Sequence, residues 1–193
     1  MKLKEGGNVA NRFSFHWLDH IICTTLRSYF HNPGRILADF IKPGMTVLDI
    51  GFGGGYFSLG MARMVGPDGL VVCVETASDK IESLKLQAVD SGLAKRVDPR
   101  ICSDSSLAVG DLTGRIDFAL AFFVVHHAAD IPALMAGTHE ALKRGGKFLI
   151  VEPSHHASTV YCETVESAAQ QAGLSVIGHP KFIRTWAVLL SKS

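Results

Sequence analysis

Short uninterrupted apolar runs alternate along the chain with longer stretches in which apolar residues return every three to four positions. The first run, Thr46–Ile50 (TVLDI), is entered through Pro43-Gly44 and suits a buried strand. From Tyr56 to Val65 the spacing is helical, until Gly66-Pro67-Asp68-Gly69 supplies turn chemistry. Leu70–Val74 (LVVCV) reads as a second strand, ending at Glu75. Ser78–Ser91 alternates charge with apolar residues at helical spacing, with Ser78 expected as N-cap and Gly92 as terminator. Val97–Cys102 is a strand weakened by Pro99, and Ile116–Phe122 (IDFALAF) is a strong one. Ile131–Leu142 is a helix that Lys143-Arg144-Gly145-Gly146 should close, placing cations in its last turn before the strand Lys147–Val151. Thr159–Ala172 is a last helix, followed by strands at Leu174–Ile177 and Ile183–Leu190.

Strands that alternate with helices and are apolar on both faces imply a mostly parallel sheet covered on both sides. Ligands in such sheets bind beyond the carboxyl ends of the strands, near the switch in strand order. Residues 1–42 precede the first strand. They are expected to form an N-terminal helical segment, broken at Asn32-Pro33-Gly34, that packs on the sheet or covers its active edge. Phe13, Phe15, Trp17, Tyr29 and Phe30 lie in it, at spacing that suits either core packing or a lid.

Composition narrows the field. The 193 residues are 47% hydrophobic and 19% charged, which is globular, and the length fits one domain. A net charge of +1 gives no strong field toward nucleic acid or an anionic membrane surface. Cys23, Cys73, Cys102 and Cys162 are scattered without a Cys-x-x-Cys pair, so neither a zinc knuckle nor a redox dithiol is indicated. Cys73 and Cys102 fall in apolar runs and are expected to be buried. The start MKLKEGGN leads into no signal-peptide core, and no stretch reaches the ~18 apolar residues of a membrane span. The expectation is a cytoplasmic protein with no nucleic-acid or membrane partner.

The chemistry starts where the first strand runs into Asp49-Ile50-Gly51-Phe52-Gly53-Gly54-Gly55 and then a helix. One glycine suffices for a tight turn, whereas four in five positions argue for close approach of a ligand to the main chain. A dinucleotide fingerprint would need a glycine where Tyr56 stands, so a nicotinamide cofactor is disfavoured. The actual spacing, D-x-G-x-G-x-G, resembles the first motif of class I S-adenosylmethionine-dependent methyltransferases. The resemblance runs from about Asn32 to the end: Asp117–His127 is similar to the family's fourth-strand motif and Leu142–Glu152 to its approach to the fifth.

That resemblance implies S-adenosylmethionine as cofactor and an α/β, Rossmann-like sheet of seven strands, mostly parallel, with helices on both faces and an antiparallel C-terminal strand. The Rossmann-like domain would cover 43–193, single-domain overall. Asp49, Gly51, Gly53 and Gly55 would line the cofactor's methionine end. Glu75 matches the acid that holds both ribose hydroxyls, a task for which a carboxylate is suited. Asp104 matches the acid that accepts from the adenine amino group, with Thr76, Ser105 and Phe122 as neighbouring contacts.

His126-His127 and Glu152-Pro153 most resemble small-molecule methyltransferases of the quinone-biosynthesis and arsenite types. Phe122-Phe123-Val124-Val125 replaces the Asn/Asp-Pro-Pro-Tyr motif of amino-methylating DNA and protein-glutamine enzymes, which disfavours that chemistry, and the placement of Cys73 and Cys102 in strands weighs against the converging cysteines an arsenite acceptor needs. His126-His127 and His155-His156 follow adjacent strands, while His16 and His20 flank Asp19 on one helical face. Methyl transfer needs mainly in-line positioning, and a base matters only if the acceptor loses a proton. His127, then His126, is the expected base; no residue is assigned to a metal. The expected partner is a small-molecule methyl acceptor, the alternative a non-catalytic protein that binds S-adenosylmethionine or S-adenosylhomocysteine.

Overall fold

A computed structural model describes residues 32–103 and 105–193. The expectations placed on residues 1–31 and on Asp104 lie outside the described residues, including the aromatic set and His16 and His20. At Asn32-Pro33-Gly34, where a break is expected, a short helix begins: α1 (Pro33–Ile36), with Asn32 Oδ1 accepting from Gly34 N–H at 2.9 Å. Proline at the first helical position costs no hydrogen bond.

The remaining elements follow the predicted order. They are β1 (Thr46–Ile50), α2 (Tyr56–Met64), β2 (Leu70–Glu75), α3 (Ser78–Asp90), β3 (Val97–Ile101) and β4 (Ile116–Phe122). Then come α4 (Ile131–Ala141), β5 (Leu142–Pro153), α5 (Thr159–Gln171), β6 (Leu174–Gly178) and β7 (Thr185–Lys192). One seven-stranded sheet has the order β3-β2-β1-β4-β5-β7-β6, with β7 antiparallel to both neighbours. The strand order reverses between β1 and β4, which pair in parallel.

The two-residue strand period builds two cores. Val47, Phe118, Leu120, Leu149 and Val151 face α1–α3, with Leu37, Met61 and Leu84 packed on them. Leu48, Ala119, Ala121, Phe148 and Ile150 face α4 and α5, against Met135 and Val165. Both faces are dry, which is why these strands read as unbroken apolar runs.

Several boundaries differ for physical reasons. Ala77, in extended conformation, is the N-cap of α3, and Ser78 already lies inside the helix without capping it. β3 ends at Ile101, and it tolerates Pro99 because it is an edge strand. Lys143–Gly146 do not close α4. That helix stops at Ala141, and the chain enters β5 at once, Leu142 pairing with Ile116. The cation at the end of α4 comes instead from β7: Lys192 Nζ donates to the carbonyls of His139 at 2.7 Å and Leu142 at 2.9 Å. β7 begins two residues later than predicted, at Thr185.

Candidate functional site

The glycine loop is shaped by its neighbours. Gly51 has φ +64°, and a Cβ there would fall 2.1 Å from Val124 Cγ2, so β4's continuation fills the space a side chain would need. Gly53 is also left-handed, at φ +57°, but a Cβ there meets no protein atom within 4 Å; the space beside it is cavity. Gly55 precedes α2, packed against Leu84. Beneath the loop, Asp49 is buried and accepts from Ser58 Oγ at 2.6 Å, fastening the end of β1 to α2.

Glu75 closes the next strand end, 8% exposed. Its Oε1 accepts from Thr76 N–H at 3.0 Å, and its Oε2 from Gly53 N–H at 3.2 Å and Lys80 Nζ at 3.3 Å. Burial pushes its pKa up, but the Thr76 N–H, the Lys80 ammonium and the Gly53 N–H outweigh that and hold it below the usual carboxylate range. The loop and the acid are thus one unit: a ligand that lies along Gly53 meets an ionised carboxylate able to accept two hydroxyls.

A cavity of about 500 Å³ opens over these groups, at the carboxyl ends of β1, β2, β3 and β4. Of the expected site residues, Gly51, Gly53, Glu75, Thr76, Phe122 and His127 line it. Asp49 supports the loop from below, Gly55 begins the helix, and Ser105 borders a separate hollow beside α4. Cys102, expected to be buried, is only partly so and lies on the cavity wall, because β3 ends before it; Cys73 is buried. Lys80 and Phe123 also line the cavity and carried no sequence signal beyond an ordinary helix lysine and an apolar run. Phe123 holds φ +60°, unusual for a bulky residue, as the chain leaves the sheet with Phe123 N–H still donating to Val151 O at 2.8 Å. Its ring stands 4.4 Å from Phe122, which in turn stacks on Phe57 at 4.3 Å.

The two expected bases part company. A single 3-10 turn, Val125–His127, carries both. His127 is exposed and lines the cavity, whereas His126 turns to the α5 side, its Nδ1 paired with Glu152 Oε2. Glu152 is fully buried at the end of β5; its Oε1 accepts from Val125 N–H at 2.7 Å and His126 N–H at 3.4 Å. Burial raises the Glu152 pKa to about 7, against the backbone donors that favour its charge. Burial, with the charge of His155, lowers that of His126. His156 stacks on His126 with centroids 4.4 Å apart and planes at 13°, a geometry that presents ring faces rather than converging nitrogen lone pairs. Among the described residues no group of three His, Cys, Asp or Glu side chains is arranged to hold a metal ion, and no helix is long and apolar enough to cross a membrane.

Comparison with known proteins agrees with this geometry. A family model described as a methyltransferase domain matches residues 18–191. Over 143 residues the chain is 29% identical to the ubiquinone biosynthesis O-methyltransferase of Brucella anthropi, covering 74% of this chain and 50% of that protein. A protein-L-isoaspartate O-methyltransferase of Triticum aestivum is 30% identical over 118 residues, covering 60% of this chain and 49% of the relative. The chain thus spans about half the length of these curated relatives. In fold it is similar to the crystal structure of a SAM-dependent methyltransferase from Aquifex aeolicus, with a TM-score of 0.78 at 18% identity, over 90% of this chain and 98% of that one. The glycine loop, the strand-end acid and the 3-2-1-4-5-7-6 sheet place this chain in the S-adenosylmethionine-dependent methyltransferase family, in its class I, Rossmann-like form.

Proposed function

We propose that the chain binds S-adenosylmethionine in the strand-end cavity and transfers its methyl group to a small molecule. The observation that carries this reading is the joint geometry of Gly53 and Glu75: a glycine whose side-chain space is cavity, hydrogen-bonded to an ionised acid on the same wall. The ribose hydroxyls would take the carboxylate of Glu75. The methionine end would lie along Gly51–Gly53, and the rings of Phe122 and Phe123 would cover the apolar side of the ligand. The sulfonium supplies an activated methyl group, so the protein's task is to orient donor and acceptor and to exclude water.

His127 is the candidate general base for an acceptor that must lose a proton, being the imidazole on the cavity wall among the described residues. The length of chain shared with ubiquinone biosynthesis O-methyltransferases supports a small-molecule acceptor over a protein one, since the isoaspartate-type relatives share a shorter segment. Calorimetry with S-adenosylmethionine and S-adenosylhomocysteine tests the cofactor. Binding of both, lost in Glu75→Ala, is expected; no binding by the wild-type chain would overturn the reading. A radiolabelled methyl-transfer screen against phenols, thiols and quinone precursors separates catalysis from binding alone.

A further inference from the structure

Glu152 stands apart from the cofactor cavity and yet is the most heavily engaged buried acid on the α4–α5 side of the sheet. It lies on the same strand face as Phe148 and Ile150, where an apolar residue would continue the core. Its carboxyl group instead takes Val125 N–H and His126 N–H on one oxygen and the His126 ring on the other. Three contacts thus tie the end of β5 to the turn that follows β4. The same segment is held elsewhere by packing of Val125 into the core and by backbone bonds, Phe123 N–H to Val151 O at 2.8 Å and His127 N–H to Val124 O at 2.9 Å, but Glu152 is the side chain that bonds the backbone of the turn itself. Burying a carboxyl group without these donors would be costly, so the turn and the acid must be placed together.

We propose that Glu152 is a positioning residue: its buried carboxyl group, acting through Val125, His126 and the His126 ring, sets where His127 and the β4-end wall of the cavity stand. The inference rests on the reading of that cavity as the S-adenosylmethionine site. The groups around the carboxyl are His126 and His127 on the turn, His155 and His156 on the loop after β5, and Tyr161 on α5. The Tyr161 hydroxyl is buried and makes no hydrogen bond, so it neither supports nor competes for the carboxyl oxygens. His156 stacks on the ring of His126, whose Nδ1 is turned to Glu152.

The test uses the full chain, S-adenosylhomocysteine as probe, and imidazole-labelled protein for NMR titration of His127. Glu152→Ala is expected to weaken S-adenosylhomocysteine binding at least tenfold and to displace the His127 titration midpoint. Glu152→Gln keeps an oxygen for the two N–H donors and is expected to bind within threefold of wild type. His126→Ala should reproduce the His127 titration change in part, and adding it to Glu152→Ala should add little. Wild-type affinity in Glu152→Ala, with an unmoved His127 titration, would overturn the proposal. So would equal losses in Glu152→Ala and Glu152→Gln that track equal drops in melting temperature, which mark a merely structural role. Should the wild-type chain bind no S-adenosylhomocysteine, the cofactor reading fails alone; the His127 titration in the variants still decides the tether.

Discussion

At Gly51 and Gly53 the same backbone conformation serves different ends, and substitution separates them. Gly51→Ala drives a methyl group into Val124, so it should lower unfolding free energy by more than 1 kcal/mol or so, about the strain of a left-handed non-glycine residue alone. The companion change Val124→Ala should recover part of that loss in urea denaturation. Gly53→Ala meets no protein atom; it should cost about 1 kcal/mol in stability yet cut S-adenosylhomocysteine affinity far more, because its methyl group enters the cavity. Equal affinity loss per unit of stability loss in the two variants would remove Gly53 from the site. That a glycine-rich turn lay here was legible from the spacing of Gly51, Gly53 and Gly55. Which glycine faced Val124 and which faced open space was not, since Val124 is 73 residues from Gly51 in sequence and adjacent only once β1 and β4 pair.

Among elements, α4 shows where local sequence stops being informative. Its start obeys local chemistry: Asp130 Oδ1 caps Ala133 N–H at 2.8 Å and Pro132 sits in the first turn. Its end does not, because the nearby Lys143 pairs with Asp117 at 2.5 Å and the distant Lys192 serves the last carbonyls. Lys192→Met, which retains the aliphatic stem, should therefore destabilise the fold by about 1 kcal/mol at low salt, an effect that thermal melts should show shrinking as salt rises. Arg144→Met, on the segment first expected to close the helix, should leave the melting temperature nearly unchanged. The existence of all seven strands and the starts of α2, α4 and α5 could be read from the pattern; the stop of α4 required knowing that β7 lies beside β5.

For the whole molecule, two buried carboxyl groups on opposite faces of the sheet brace the ligand edge: Asp49 under α2 and Glu152 beside α5. Glu152, raised to about 7 from 4.5, binds its proton more tightly folded than unfolded. Its contribution to stability is therefore fully present below about pH 4.5 and declines as pH rises through 7. His126 and His139 shift the other way: burial lowers both, so their contribution holds above pH 6.5 and is lost as pH falls below it. Melting temperatures from pH 5 to 8 should show Glu152→Gln gaining on wild type as pH rises; a constant difference would refute the assigned shift.

The sequence by itself determined the alternation of strands and helices, the two-sided burial of the sheet and the glycine turn, because each is written in neighbouring residues and their period; Glu75 was singled out only by its resemblance to a family motif. The tertiary structure alone decided which histidine faces the cavity. His126 and His127 are adjacent and chemically identical, and only a buried carboxyl group from the next strand, 26 positions away from His126, draws one of them aside and leaves the other on the wall.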